Sequence, residues 1–265
     1  GMIIVGYAVP IALAAVELAT IGKVAVLATA LRRTAAQWPA GAAALANRVR
    51  ALPDVRLLGD LLAESVDDQG RILDSASPEL ARLRQETVAI AARLRRRIEA
   101  LVRETDAAGL LQDDYFTLRD NRYVLPVRHS EKRTLAGIIH GSSQTGQTVY
   151  VEPQELVEAN NQLALAFDAV RREERRILAD LSAMCAGHSQ ELLVCVEVLT
   201  TLDLRLAAAR LALELHAHRP QFTDDRLELP ALRHPVLALD GGHPVANRLA
   251  MERPTTRWWV ISGPN

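Results

Sequence analysis

The apolar positions of this chain follow two rhythms. From Pro153 onward, alternating steps of three and four pick out Leu156, Asn160, Leu163, Phe167, Val170, Glu174, Ile177, Leu181, Met184 and His188. The stripe continues through Leu192, Cys195, Leu199, Leu202, Leu206, Ala209 and Leu213. This is one face of a helix. No proline interrupts it between Pro153 and Pro220, so one long helix is expected over 153–220. Sixty helical residues reach about 90 Å, roughly twice the width of a globule of this mass, so the helix is expected to project. One step breaks the alternation: His188 to Leu192 follows a four with another four. Such a phase shift lets a heptad stripe follow a nearly straight helix.

A second helix is bounded on both sides. Ser77 is a good N-cap, Pro78 suits the first helical position, and Glu79 suits the positive end of the helix dipole. Leu80, Leu83, Ile90, Leu94, Ile98 and Leu101 then recur on one face, and Gly109 ends the run after about Ala108.

Between the two helices the rhythm shortens to that of strands. Tyr115–Leu118 and Tyr123–Leu125 read as a pair joined by a tight turn over Arg119-Asp120-Asn121-Arg122, with Pro126 marking a sheet edge or strand end. Residues 136–140 and 147–151 read as another pair, joined through Gly141–Gly146. The expected fold is mainly α with a small antiparallel β insert: a long antiparallel helical lever arm carrying a β-rich tip on a helical core. The expected divisions are 2–112 (core and first lever helix), 113–152 (tip), 153–220 (return helix) and 221–265 (start of a further domain). Leu227–Leu229 and Trp258–Ile261 read as strands of that last part.

Composition supports the helical reading. Hydrophobic residues are 49% of the chain but aromatics only 4%, so the core rests on the strong helix formers Ala and Leu, with Val and Ile. The uncharged run from Met2 to Val16 carries Gly6 and Pro10 and is soon followed by Glu17 and Lys23. It falls short of the ~20 apolar residues a span needs and reads as a buried helix, so no membrane association is expected. Cys185 and Cys195, the only two cysteines, read as reduced core residues of a cytoplasmic protein.

A formal net charge of −1 excludes a protein that coats nucleic acid with its whole surface. Any such contact must be local. Five basic residues stand against two acidic ones between Arg119 and His140. Arg119, Arg122, Arg128, Lys132 and Arg133 are therefore candidate phosphate contacts, with Ser142, Ser143, Gln144 and Thr145 as neutral hydrogen-bonding partners. The competing reading is a solvated hairpin, because over 113–152 five basic residues balance five acidic ones. Arg93, Arg95, Arg96 and Arg97 could line a DNA channel, but such a run is more often a solvated face paired with neighbours such as Glu86, Glu99 and Glu104. His129, His140 and His188 match no metal-ligand spacing, and His188 is expected to pack on the seam. No catalytic arrangement and no metal site is expected.

Several stretches, in order, resemble the MutS family. Val260-Ile261-Ser262-Gly263-Pro264-Asn265 is similar to the strand and opening of its phosphate-binding loop. Arg233-His234-Pro235-Val236, followed by Pro244-Val245-Ala246-Asn247, is similar to the segment that borders adenine. Leu118–Val127, Gly137-Ile138-Ile139-His140, Val151-Glu152-Pro153 and Asn160-Asn161 resemble the clamp of the second MutS branch, and Asp74–Leu80 strengthens the same assignment. That branch is associated with suppressing recombination rather than correcting mismatches.

The resemblance implies a DNA-binding lever and clamp belonging to a longer, homodimeric DNA-dependent ATPase. ATP and magnesium would be the cofactors of that longer protein, and a nuclease domain belongs to its repertoire. Pro244, Val245, Asn247, Gly263, Pro264 and Asn265 would be the nucleotide-binding remnant. The Lys and the Ser or Thr of the loop are missing, so this chain alone is not expected to be an enzyme or to hold a cofactor. Ribosome association has also been linked to the branch, so a coiled-coil module docking to a protein or the ribosome is the alternative.

Overall fold

The computed structural model describes residues 12–252 together with Thr255. Most of the Met2–Val16 run, the Trp258–Ile261 strand and the Gly263-Pro264-Asn265 opening lie outside the described residues. The chain divides into two compact units, Gly1–Cys195 and Val196–Asn265.

The first unit is helical except for one sheet. Its helices are α1 (Ala15–Thr34), α2 (Ala43–Arg50), α3 (Arg56–Ser65), α4 (Pro78–Ala107) and α5 (Val157–Gly187). Helix α1 begins at Ala15 with residues 12–14 non-helical before it, and the Glu17 carboxylate accepts from the Ala14 backbone N–H at 2.7 Å. Polar turn chemistry shapes the α3–α4 connection. Asp67 Oδ1 accepts from the N–H groups of Gln69 and Arg71, each at 2.9 Å, and Gly70 sits at φ 74°. Helix α4 starts where its cap places it: Ser77 Oγ accepts from the Leu80 N–H at 3.3 Å. Gly109, at φ 71°, takes the left-handed conformation past its end.

Helices α4 and α5 pair antiparallel, held by a core at each end. At the base, Leu80 of α4 joins Ile177, Leu181 and Cys185 of α5 with Leu18, Leu58, Leu62 and Val66. At the other end, Leu94, Ile98, Leu101 and Val102 of α4 join Leu156 and Leu163 with strand residues Leu125, Val127, Val149 and Val151. Each such side chain contributes about 1.5–3 kcal/mol on leaving water. The tip therefore shares a core with the arms.

The tip sheet has the order β1-β2-β4-β3, all antiparallel: β1 (Thr117–Arg119), β2 (Arg122–Arg128), β3 (Gly137–Ser142) and β4 (Thr148–Pro153). Asp120 and Asn121 both have positive φ, 48° and 61°, the two-residue turn that matches strand twist. Pro126, expected at an edge or strand end, instead lies inside central strand β2. Its carbonyl accepts from the Gln112 N–H at 2.8 Å, on the side away from β4. In an antiparallel strand a residue's N and C=O face the same neighbour, so the missing N–H removes no bond to β4.

The return stripe forms two helices, not one. Helix α5 ends at Gly187 and α6 runs over Ser189–Glu214, with His188 (φ −104°, ψ 19°) between them. The extra residue is taken up earlier than the stripe indicated. Burial passes from Leu181 to Cys185, four residues on, and leaves Met184 and His188 exposed. His188, expected on the seam, has a side chain 48% exposed and 3.9 Å from Glu191. Cys185 and Cys195 are buried and free. Burial pushes both thiols up, with Glu191 adding to the effect at Cys195.

The second unit contains the rest of α6, the antiparallel pair β5 (Arg226–Leu232) and β6 (Asn247–Glu252), and the short α7 (Pro235–Leu239). Leu202 is its only buried residue among the described residues. No helix of the described residues is long and apolar enough to cross a membrane.

Candidate nucleic-acid interface

Strand alternation sorts the tip side chains. Leu125 and Val127 of β2, with Val149 and Val151 of β4, enter the shared core. Their neighbours Arg122, Arg128, Tyr150 and Glu152 take the opposite register. Glu152 is 0% exposed, and a carboxylate can be held there only if donors surround it. Three do. Arg122 Nη1 donates to Oε1 at 2.8 Å, and so does Asn160 Nδ2 from α5 at 2.8 Å. His140 Nε2 lies 2.6 Å from Oε2 and donates to it in the tautomer that carries hydrogen on Nε2.

The same knot joins sheet to arm. Arg122 Nη2 donates to Asn161 Oδ1 at 2.7 Å. The Tyr123 N–H donates to Asn160 Oδ1 at 3.0 Å, and Asn160 Nδ2 donates back to the Tyr123 carbonyl at 3.2 Å. Gly137 completes the fit: a Cβ there would lie 2.2 Å from the Glu152 carbonyl oxygen. Arg122, Gly137, His140, Glu152, Asn160 and Asn161, scattered through four separate sequence motifs, thus converge on one buried joint.

This joint separates the candidate cations. Arg122 is tied inward with 25% side-chain exposure and is a structural residue of the tip. Arg119 is exposed, its guanidinium 4.2 Å from the centre of the Tyr150 ring, which pre-orders it. Arg128 and Arg133 are exposed, and Lys132 is half-buried with Nζ 3.0 Å from His129 Nε2. Among the described residues none of Arg119, Arg128, Lys132 or Arg133 has a carboxylate within 4.0 Å. Of the neutral candidates, Ser142, Gln144 and Thr145 are exposed, while Ser143 is half-buried. Ser143 Oγ accepts from the Thr148 N–H at 3.2 Å, so Ser143 shapes the loop that presents the others.

The expected basic run on α4 also divides. Arg95 pairs with Glu99 at 2.9 Å, and Arg97 pairs with Glu155 of the tip-proximal turn and lies 4.0 Å from Glu104. Glu86 pairs with Arg82 instead. Arg93 and Arg96 have no carboxylate within that distance among the described residues.

The nucleotide candidates Pro244, Val245 and Asn247 belong to the second unit. Val245 is 80% exposed, and Asn247 Nδ2 donates to the Val245 carbonyl at 3.3 Å. No group of three His, Cys, Asp or Glu residues that could hold a metal occurs among the described residues.

Helices α4 and α5 with the four-stranded sheet make a helical arm carrying a β-rich tip. No protein-family model matches the chain, but curated relatives narrow the class. The chain is 37% identical over 219 residues to the endonuclease MutS2 of Anaeromyxobacter sp. (strain Fw109-5), covering 78% of this chain and 27% of that protein. It is 39% identical over 241 residues to the endonuclease MutS2 of Thermomicrobium roseum, covering 86% and 30%. It is 36% identical over 224 residues to the endonuclease MutS2 of Geobacillus sp. (strain WCH70), covering 84% and 28%. The chain belongs to the MutS2 family, the second branch of MutS proteins. It spans less than a third of the length of these relatives.

Proposed function

We propose that α4, the tip sheet and α5 are the lever and clamp of a DNA-dependent ATPase acting in DNA repair or in suppressing recombination. The clamp grips the phosphate backbone of duplex or branched DNA. One observation carries this reading. The single carboxylate buried in the tip is neutralised by Arg122, leaving Arg119, Arg128, Lys132 and Arg133 without acidic partners. Backbone contacts by such cations give affinity without base recognition. The division 113–152 then marks the gripping element, and 78–107 with 157–187 the lever. In this reading ATP and magnesium act in the longer protein, which works as a homodimer, and this chain by itself catalyses nothing.

The test is a salt titration of the folded chain with labelled four-way junction and duplex DNA. Four phosphate contacts give a slope of log affinity against log salt of about −3.6. A variant carrying R119Q, R128Q, K132Q and R133Q should lose most of the affinity and most of that slope. A folded chain that fails to bind DNA even at low salt, yet binds ribosomal particles, would replace the DNA reading with the docking module. ATP turnover by the chain would overturn its assignment as a non-enzyme.

A further inference from the structure

Helix α4 carries seven arginines: Arg82, Arg84, Arg93, Arg95, Arg96, Arg97 and Arg103. Four of them are paired with carboxylates: Arg82 with Glu79 and Glu86, Arg84 with Asp74 and Glu174, Arg95 with Glu99, and Arg97 with Glu155. Arg93, Arg96 and Arg103 are exposed, and among the described residues no carboxylate lies within 4.0 Å of any of them. At 100° per residue these three fall within an arc of about 80°. The core residues Leu94, Ile98, Leu101, Val102 and Thr105 centre on the opposite side of the helix. The three guanidiniums therefore form one outward-facing row, about 15 Å long at 1.5 Å per residue. Of the acids flanking the row, Glu99 pairs with Arg95 and Glu104 lies 4.0 Å from Arg97, while Asp106, one turn beyond Arg103, has no arginine of the row within 4.0 Å.

We infer that this row on the tip-proximal half of α4 is a second track for the phosphate backbone of duplex DNA, separate from the tip. The inference extends the reading of the tip as a DNA contact and rests on it. Like charges at helical spacing repel one another, and a polyanion laid along the row removes that repulsion. A length of about 15 Å matches roughly four base-pair steps at 3.4 Å per step. Phosphates along one strand would each meet a planar, five-donor guanidinium, the side chain best suited to them.

The experiment compares three variants of the whole chain by fluorescence anisotropy with a 20-base-pair duplex between 50 and 200 mM salt. The arm variant is R93Q/R96Q/R103Q. The control is R82Q/R95Q/R171Q, which removes three positive charges that are already paired. The third is the four-site tip variant. Glutamine keeps helix propensity, and circular dichroism confirms that each variant folds. The arm variant should bind at least ~10-fold more weakly at 100 mM salt, with the salt slope smaller by about two to three, while the control stays within about twofold of the parent.

Parent-like binding by the arm variant, or an equal loss in the control, overturns the inference. If the tip variant alone abolishes binding, the clamp reading stands and the arm track falls. If the arm variant alone does so, the track stands and the clamp reading falls. A parent chain that binds no DNA overturns both. Loss of duplex RNA binding without loss of DNA binding overturns the assignment to DNA.

Discussion

The two ends of the α4–α5 pair are both tied by charged groups, but in opposite environments. At the base, Ser77 Oγ donates to Glu173 Oε1 at 2.7 Å, Arg176 grips the same carboxylate, and Arg84 bridges Asp74, Glu174 and the Ile72 carbonyl. Arg84, Glu174, Asp74 and Arg176 all retain solvent exposure. At the tip, Glu152 has none, and its partners come from two strands and a helix. Water can replace a lost partner of Arg84, Asp74, Glu174 or Arg176 at the base, although Ser77 is 6% exposed and the Glu173 side chain 10%. At the tip, a lost partner leaves a charge in the dry interior. The base is a latch that solvent can loosen, whereas the tip joint fixes the sheet on the arm.

The sharpest way to break that contrast is Arg122→Met. Leaving Glu152 uncompensated should cost about 3–5 kcal/mol in urea unfolding, while the double change Arg122→Met with Glu152→Leu should recover most of it. A double variant no better than the single would show that the joint is not an ionic lock. Next comes Asn160→Ala, which takes the acceptor from the Tyr123 N–H and one of the two donors from Glu152 Oε1. A loss of about 1–3 kcal/mol is expected, with faster amide exchange in β1 and β2 than in α1 and α3. At the base, Ser77→Ala removes a helix cap and should cost about 1 kcal/mol by the same unfolding measurement.

The smallest effect concerns acid. Hydrogen bonds from Arg176, and then from Ser77, hold the Glu173 carboxyl at about 2, below its ordinary 4.5. A carboxyl depressed on folding adds stability that is complete above its unfolded value and is lost as pH falls through its folded one. Thermal melts of the parent should therefore weaken progressively between about pH 4.5 and 2. Glu173→Gln should start slightly less stable at neutral pH and show a flatter acid limb. An unchanged limb would mean that the latch does not titrate.

Much of the scaffold is legible in the order of residues. The Ser77 cap, the Gly109 stop and the Asp120–Asn121 turn announce themselves because each solves a local steric or hydrogen-bonding problem within three or four residues. The doubled step near His188 reads as a phase shift within one continuous helix, yet α5 ends at Gly187 and α6 begins at Ser189, and the burial shift falls earlier, at Leu181–Cys185. Pro126 misleads because proline marks an edge only when its N–H would have faced a partner strand, and the register of β2 turns it the other way. The candidate interface is legible in composition but not in roles. Arg119 and Arg122 flank the same turn and look equivalent, yet one is exposed on a tyrosine ring and the other neutralises a buried acid.

Caps, turns and helical phase are short-range properties, so the amino-acid sequence alone determined where α4 begins and ends and where β1 turns into β2. The partnership of its charges is long-range. Arg122 meets Glu152 across 30 residues, and Arg97 meets Glu155 across 58. Only the folded chain decided which cations are neutralised within it and which face outward, because burial sets the strength of a charge pair and no local pattern encodes burial.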